Sequence, residues 1–365
     1  MKISGAVFVQ NYQELQQDHE VFLEDLKLAE QFEPLGFDSI WSVEHHFSPY
    51  TMVPDVLQFL TYLCGHTKRI GLGTMVVVLP WHDPIRVAEQ ISMLDIMANG
   101  RSLTLGFGRG AGRIEFDGFR VPMSEARERF AEAAEVIKLA LSQKRFSFNG
   151  KFFQIPEMSI RPQPLDKNLV DRMYGAIVSP ETGDIMAKAG MGMLVIPQKP
   201  WEEHRKDYDA YVQSCLRAGF KAKAPIAGCW VYCARNEREA MEAGRKWSMN
   251  YAQSALNHYE YHEPEHFKAA KGYEYHAQMA QAVKAAGGFT QMFADTQVIG
   301  TPDRCIHVLR EIQNKMGASE FVGVFKYGGM PYEEAERSLK LFASEVMPVI
   351  KGDGREQSQT AAAGS

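Results

Sequence analysis

The 365-residue sequence predicts an α/β fold, a (β/α)8 TIM barrel with insertion segments, on three observations. Strand-like apolar runs alternate with amphipathic segments along the chain, and eight such runs can be counted. Two of them end abruptly in polar chemistry, at Glu44-His45-His46 and at Gly108-Arg109-Gly110. Each strand–helix–strand unit implies a parallel pair with a right-handed crossover, and eight such units close a barrel. An open doubly wound sheet is the runner-up.

The elements follow in order. Strand-like Ile3–Val9 precedes a helix over Val21–Leu35, where Phe22, Leu26, Ala29 and Phe32 share one face. Gly36 ends it and Phe37–Val43 is the second strand. Pro54 opens a helix to Gly65, and the β-branched run Arg69–Leu79 reads as a third strand buried on both faces. Asp83-Pro84 starts the next helix, followed by strand Ser102–Phe107 and helix Ser124–Leu141. Asn149-Gly150 predicts a two-residue hairpin turn between Arg145–Phe148 and Lys151–Ile155. Alternation then resumes: strand Met173–Val178, helix Pro180–Ala189, strand Met193–Ile196, helix Trp201–Ala218, strand Ile226–Ala234. One long helical stretch covers Glu237 to Ala286, before strand Glu320–Phe325 and helix Tyr332–Val346. Residues 1–350 thus read as one barrel, and the small, polar residues 351–365 as a disordered tail.

Composition narrows the function. Hydrophobic content of 45% with 23% charged residues suits a soluble protein with a large core. A net charge of −5 offers no basic footprint for nucleic acid. No apolar stretch is long enough to cross a bilayer, and Lys2 leads straight into a strand-like run rather than a signal peptide. Five scattered cysteines read as reduced, buried thiols of a cytoplasmic protein.

Gly106-Phe107-Gly108-Arg109-Gly110-Ala111 formally matches a dinucleotide-binding glycine pattern. Three strand–helix units precede it, however, and the acids twenty residues on, Glu125 and Glu128, fall within a helix. It reads better as glycine-lined backbone that a ligand approaches, with Arg109 offering a planar fork of donors to a phosphate. Ser179-Pro180-Glu181-Thr182 is a helix start, whose free N–H groups and hydroxyls suit an anion at the barrel mouth. His45 is the candidate acid–base residue, an imidazole standing at a strand's C-terminal end. No metal site is expected: His258, His262, His266 and His276 have helical spacing but no clear third ligand, and His204 and His307 read as surface residues. Thr74-Met75 lies in the buried third strand, where room for a flat ring would be needed.

With these residues in place, the chain resembles the luciferase-like flavin-dependent monooxygenases from Lys2 to Ile350. The likeness rests on Glu44-His45-His46-Phe47, on Asn99-Gly100-Arg101 leading to Gly106-Phe107-Gly108-Arg109-Gly110, and on Gly328-Gly329-Met330-Pro331. The resemblance implies a barrel binding FMN at its strand ends, with His45 as the catalytic histidine. It implies Gly108, Arg109, Ala111, Ser179 and Thr182 at the phosphate, and a non-proline cis peptide at Thr74-Met75 under the ring system. Val178 stands where luciferase has an acid. It further implies a two-component monooxygenase: an NAD(P)H-dependent reductase delivers FMNH2, O2 forms a C4a-(hydro)peroxide on it, and a small organic substrate is oxygenated. A homodimer through the second and third helices is expected. Two alternatives remain open, hydride transfer with the deazaflavin F420 and flavin binding without turnover.

Overall fold

The computed structural model describes residues 1–176, 180–263, 265–286 and 288–353. Eight strands form the barrel: β1 Lys2–Val7, β2 Ser39–Ser42, β3 Gly71–Thr74, β4 Leu103–Gly108, β5 Met173–Ala176, β6 Gly192–Val195, β7 Ile226–Cys233 and β8 Glu320–Val324. All neighbours are parallel, and β8 pairs β1 to close the ring, with Glu320 opposite Lys2. The outer helices are α1 Asp18–Glu30, α2 Val56–His66, α3 Pro84–Ala98, α4 Ala126–Ser142, α5 Pro180–Ala189, α6 Trp201–Arg217, α7 Pro302–Met316 and α8 Tyr332–Leu341.

The period of two along each strand divides the core. In β1, Ile3 and Val7 join the shell beneath the helices, with Leu28 of α1, Leu60 of α2 and Ile91 of α3. Ala6 instead joins Trp41, Leu194, Trp230 and Val322 inside the barrel. Trp41 fits only because Gly73 opposite it lacks a side chain; a Cβ there would lie 2.3 Å from the indole. The indole N–H donates to Glu320 Oε1 at 2.9 Å, and the Ser4 hydroxyl to the same oxygen at 2.6 Å. Local signals set the helix starts: Asp55 accepts from the Gln58 N–H, and Asp83 accepts from Ile85 and Arg86, with Pro84 first in α3.

Several expectations need correction. The third strand stops at Thr74; the chain turns through a cis peptide between Met75 and Val76, one residue beyond the expected place, and Val77–Val78 then pairs with Phe107 and Gly108. The hairpin Phe146–Asn149/Gln154–Met158 has its turn over 150–153. Glu132 of α4 explains the longer loop, since its carboxylate accepts from the backbone of Lys151 and Phe152, each at 2.8 Å. The long stretch after β7 is four helices, Glu237–His258, Glu265–Ala269, Glu274–Ala286 and Phe289–Asp295, followed by a short strand Val298–Gly300 on the edge of β7. A helix at Arg113–Phe119 was not anticipated. The last helix passes through a π-helical segment at Phe342–Val346 and runs on to Asp353, which pairs with Arg310, so it extends past the expected start of the tail. Residues 354–365 lie outside the described residues, as do Val178 and Ser179. No helix among the described residues is long and apolar enough to cross a membrane, and all five cysteines are free and buried.

Candidate active site

The C-terminal ends of the strands open on one cavity, and the residues that line it come from every quarter of the chain. His45 follows β2, Met75 and Val76 follow β3, Gly108, Arg109 and Ala111 end and follow β4, and Ile196 follows β6. Histidine and arginine, sixty-four positions apart in sequence numbering, therefore face a common space, as strand order in a barrel allows. Thr74 does not line it: its hydroxyl donates to Gly106 O and accepts the Gly106 N–H, both at 2.8 Å, which ties β3 to β4. Ser179 and the side chain of Thr182 lie outside the described residues.

His45 is held from behind. Its Nδ1 lies 2.9 Å from Oε1 of Glu115, a fully buried acid in the first turn of the helix Arg113–Phe119. The same oxygen accepts the His46 N–H at 3.0 Å. Burial pushes the Glu115 carboxyl up, but His45 and His258 beside it outweigh burial together and bring it down to about 2. His258, last residue of the helix Glu237–His258, approaches the other oxygen at 3.5 Å. Donor atoms of His45, Glu115 and His258 all lie within 4.8 Å of one another, a set that could hold a metal ion. Placing the later histidines at helical spacing with no clear third ligand did not anticipate this convergence. On the cavity side, the Tyr259 hydroxyl is 3.4 Å from His45 Nε2. Burial pushes the Tyr50, Tyr251 and Tyr259 phenols up, so all three stay protonated.

Glu44 has a different task. It is buried and accepts from His82 Nε2 at 2.6 Å, His46 Nε2 at 3.1 Å and the Val78 N–H at 2.9 Å. Burial alone would raise its carboxyl, yet these donors leave it below the ordinary range. The acid thus pins the turn after Met75–Val76 to the end of β2.

At the other end, Arg109 Nη1 donates to the Gly272 carbonyl at 2.7 Å, and its guanidinium lies 4.2 Å over the Tyr273 ring. Arg127 of α4, which sequence reasoning passed over, donates to that same carbonyl at 3.2 Å, and its Nε is buried with no hydrogen-bond partner among the described residues. An acceptor oxygen therefore sits at the focus of two guanidinium groups. His276 lines the cavity nearby; burial, with Arg109 and His266 adding to it, pushes its imidazole down to about 3, so it is neutral. Much of the remaining wall is aromatic, with Phe8, Trp81, Trp230, Tyr251, Phe289 and Phe293. His204 is buried rather than exposed, on the inner face of α6 with Trp201 and Tyr211; His307 is at the surface.

Residues 1–320 match the luciferase-like monooxygenases, and the chain belongs to that family. It is 26% identical to the alkanal monooxygenase alpha chain of Aliivibrio fischeri over 325 residues, covering 87% of this chain and 90% of that one. It is 25% identical over 368 residues to the oxygenase component of the flavin-dependent trigonelline monooxygenase of Acinetobacter baylyi, 96% of each chain. Among solved structures, the monooxygenase RslO1 of Streptomyces bottropensis superposes with a TM-score of 0.77 at 26% identity, over 96% of this chain and 100% of that one. An F420-dependent secondary alcohol dehydrogenase, 17% identical over 95% of this chain and 99% of that one with a TM-score of 0.68, shares the fold.

Proposed function

We propose that this protein is the oxygenase component of a two-component monooxygenase that uses FMNH2 and O2 to oxygenate a small organic substrate. The observation that carries the reading is the single cavity shared by His45 and Arg109 at the strand ends. The residues present fit FMN. Arg109 and Arg127 already converge on one acceptor oxygen, the arrangement an anionic phosphate oxygen requires, and Gly108 and Ala111 line the same end. Met75 and Val76 offer an apolar floor for a flat ring system. Reduced FMN, when bound, supplies the electron pair with which O2 is activated.

The chain's own groups do the rest. The aromatic walls keep water from the reacting centre, and His45 holds or moves a proton at Nε2. Ser179 and Thr182 complete the anion site in this reading. A separate NAD(P)H-dependent reductase delivers the reduced flavin, as the description of the A. baylyi relative as an oxygenase component suggests. Five buried free thiols accord with a cytoplasmic location. Exposed Tyr62 on α2 and Met93, Ile96 and Met97 on α3 support a homodimer through these helices.

Stopped-flow mixing of the protein–FMNH2 complex with oxygenated buffer tests the reading. A transient absorbance distinct from reduced and oxidised flavin, with oxygen incorporated into product, is expected. Tight F420 binding with hydride transfer and no oxygen consumption would overturn it in favour of the deazaflavin alternative.

A further inference from the structure

We propose that His258 is a positioning residue: with Glu115 it locks His45 in the tautomer protonated at Nδ1, so that Nε2 meets the cavity as a proton acceptor. The inference deepens the function proposed above, since it rests on His45 being the group that handles the proton.

The polarity of the surrounding hydrogen bonds carries it. An ionised carboxylate only accepts. Glu115, held near 2, is ionised at neutral pH, so both of its oxygens call for donors. Oε1 takes the His46 N–H at 3.0 Å and His45 Nδ1 at 2.9 Å, so the proton of neutral His45 belongs on Nδ1. Oε2 has no hydrogen-bond partner among the described residues, and neither has His258 Nε2, which faces it at 3.5 Å. A lone pair on that nitrogen would repel the carboxylate, so Nε2 of His258 carries the proton. His258 Nδ1 must then accept, and the Ser48 hydroxyl donates to it at 2.8 Å. Ser48 Oγ in turn accepts the Tyr50 N–H at 3.4 Å. Two chains of donors, one from the backbone at Tyr50 and one from His45, thus end on the two oxygens of one carboxylate. The lone pair left over is at His45 Nε2, where the Tyr259 hydroxyl is placed to donate.

Packing prevents His258 from turning away. Its ring stacks on Tyr50 at 4.6 Å and 19° and meets the His45 ring edge-on at 5.0 Å. Gly112 makes the approach possible, because a Cβ there would lie 2.5 Å from Glu115 Oε2 and 3.0 Å from His258 Nε2. The titratable groups facing the two imidazoles are Glu115, Tyr50, Tyr259, Glu260 and each other. With an apolar residue at 258, Oε2 of Glu115 would have no donor facing it, and the carboxylate would be free to turn from His45 Nδ1.

The test reads tautomers directly. In the full chain carrying 15N-labelled histidine and no flavin, long-range couplings at pH 8 should show His45 protonated at Nδ1. His258→Gln places an amide nitrogen where Nε2 was and should keep that tautomer. His258→Leu should mix the two tautomers, read as loss of the single-tautomer coupling pattern, because the Glu115 carboxylate is no longer held square to Nδ1. Ser48→Ala breaks the same chain one link further out and serves if the leucine variant does not fold. A wild-type His45 protonated at Nε2, or a tautomer unchanged by both His258→Leu and Ser48→Ala, would overturn the inference. With a substrate in hand, kcat should fall about tenfold or more in the leucine variant, the usual scale for an orienting partner, and recover in the glutamine one. Absence of oxygenation by the wild type would count against the proposed function and leave the tautomer result standing.

Discussion

Nδ1 of His45 and Oε1 of Glu115 stand 2.9 Å apart although seventy residues separate them, and the acid is fully buried. Its carboxyl sits at about 2 against an ordinary 4.5, so as pH falls the unfolded chain takes up the proton first. The stability this group contributes is complete above pH 4.5 and is lost as pH drops toward 2. Glu115→Gln should flatten the fall in urea midpoint between pH 5 and pH 3, while lowering turnover by about 10- to 100-fold.

Replacing His45 with alanine should leave FMNH2 affinity nearly intact but cost about 10²- to 10⁴-fold in coupled product, the range of general acid–base assistance. Oxygen consumption would continue as uncoupled peroxide release. An oxygen electrode alongside product analysis distinguishes the two, and an unchanged product yield would remove His45 from the chemistry.

Arg109→Ala should weaken FMN by about 1.5–3 kcal/mol, the range of a hydrogen bond to a charged group, and riboflavin hardly at all. Arg127→Ala should show the same asymmetry. Calorimetric titration with both ligands checks this, and equal losses would place the phosphate elsewhere.

His204 is buried with both ring nitrogens lacking hydrogen-bond partners among the described residues. Burial first, and Lys199 second, push its imidazole down to about 3 from an ordinary 6.5. The unfolded chain is therefore protonated there while the folded one is not, and stability is lost as pH falls from 6.5 toward 3. His204→Phe should raise stability at pH 5 by about 2 kcal/mol, at 1.36 kcal/mol per unit, and much less at pH 8. Denaturant melts at the two pH values decide it.

Ile96→Lys on α3 puts a charge on the exposed apolar face shared with Tyr62 and Met93. Light scattering should find the wild type dimeric and this variant shifted toward monomer; an unchanged mass would move the interface elsewhere.

The barrel was readable because its strands are apolar runs alternating with amphipathic segments, and two of those runs end abruptly in histidine or in glycine and arginine. His45 and Arg109 were found that way. Glu115 was not, since its helix spans only seven residues and shows too little periodicity to stand out. Arg127 looks like any charge on an amphipathic helix; only the carbonyl of Gly272, far along the chain, reveals its direction. His258 and Tyr259 reach the site because the helix ends there and Glu260 takes a positive φ of 52°. Pro264 and Gly272 were the available hints of that break. His204 was misjudged although Trp201, His204, Tyr211 and Cys215 recur at helical spacing, a signal of an inner face.

The segment between β7 and β8 roofs the cavity with Tyr251, Tyr259 and Phe293, and it also supplies His258. The lining of the cavity and the partner of Glu115 are thereby inherited together. Exchanging this segment between relatives to admit a new compound would also change what faces the acid behind His45, a histidine that the exchange never touches, so chimeras need that contact preserved before a poor rate is blamed on fit.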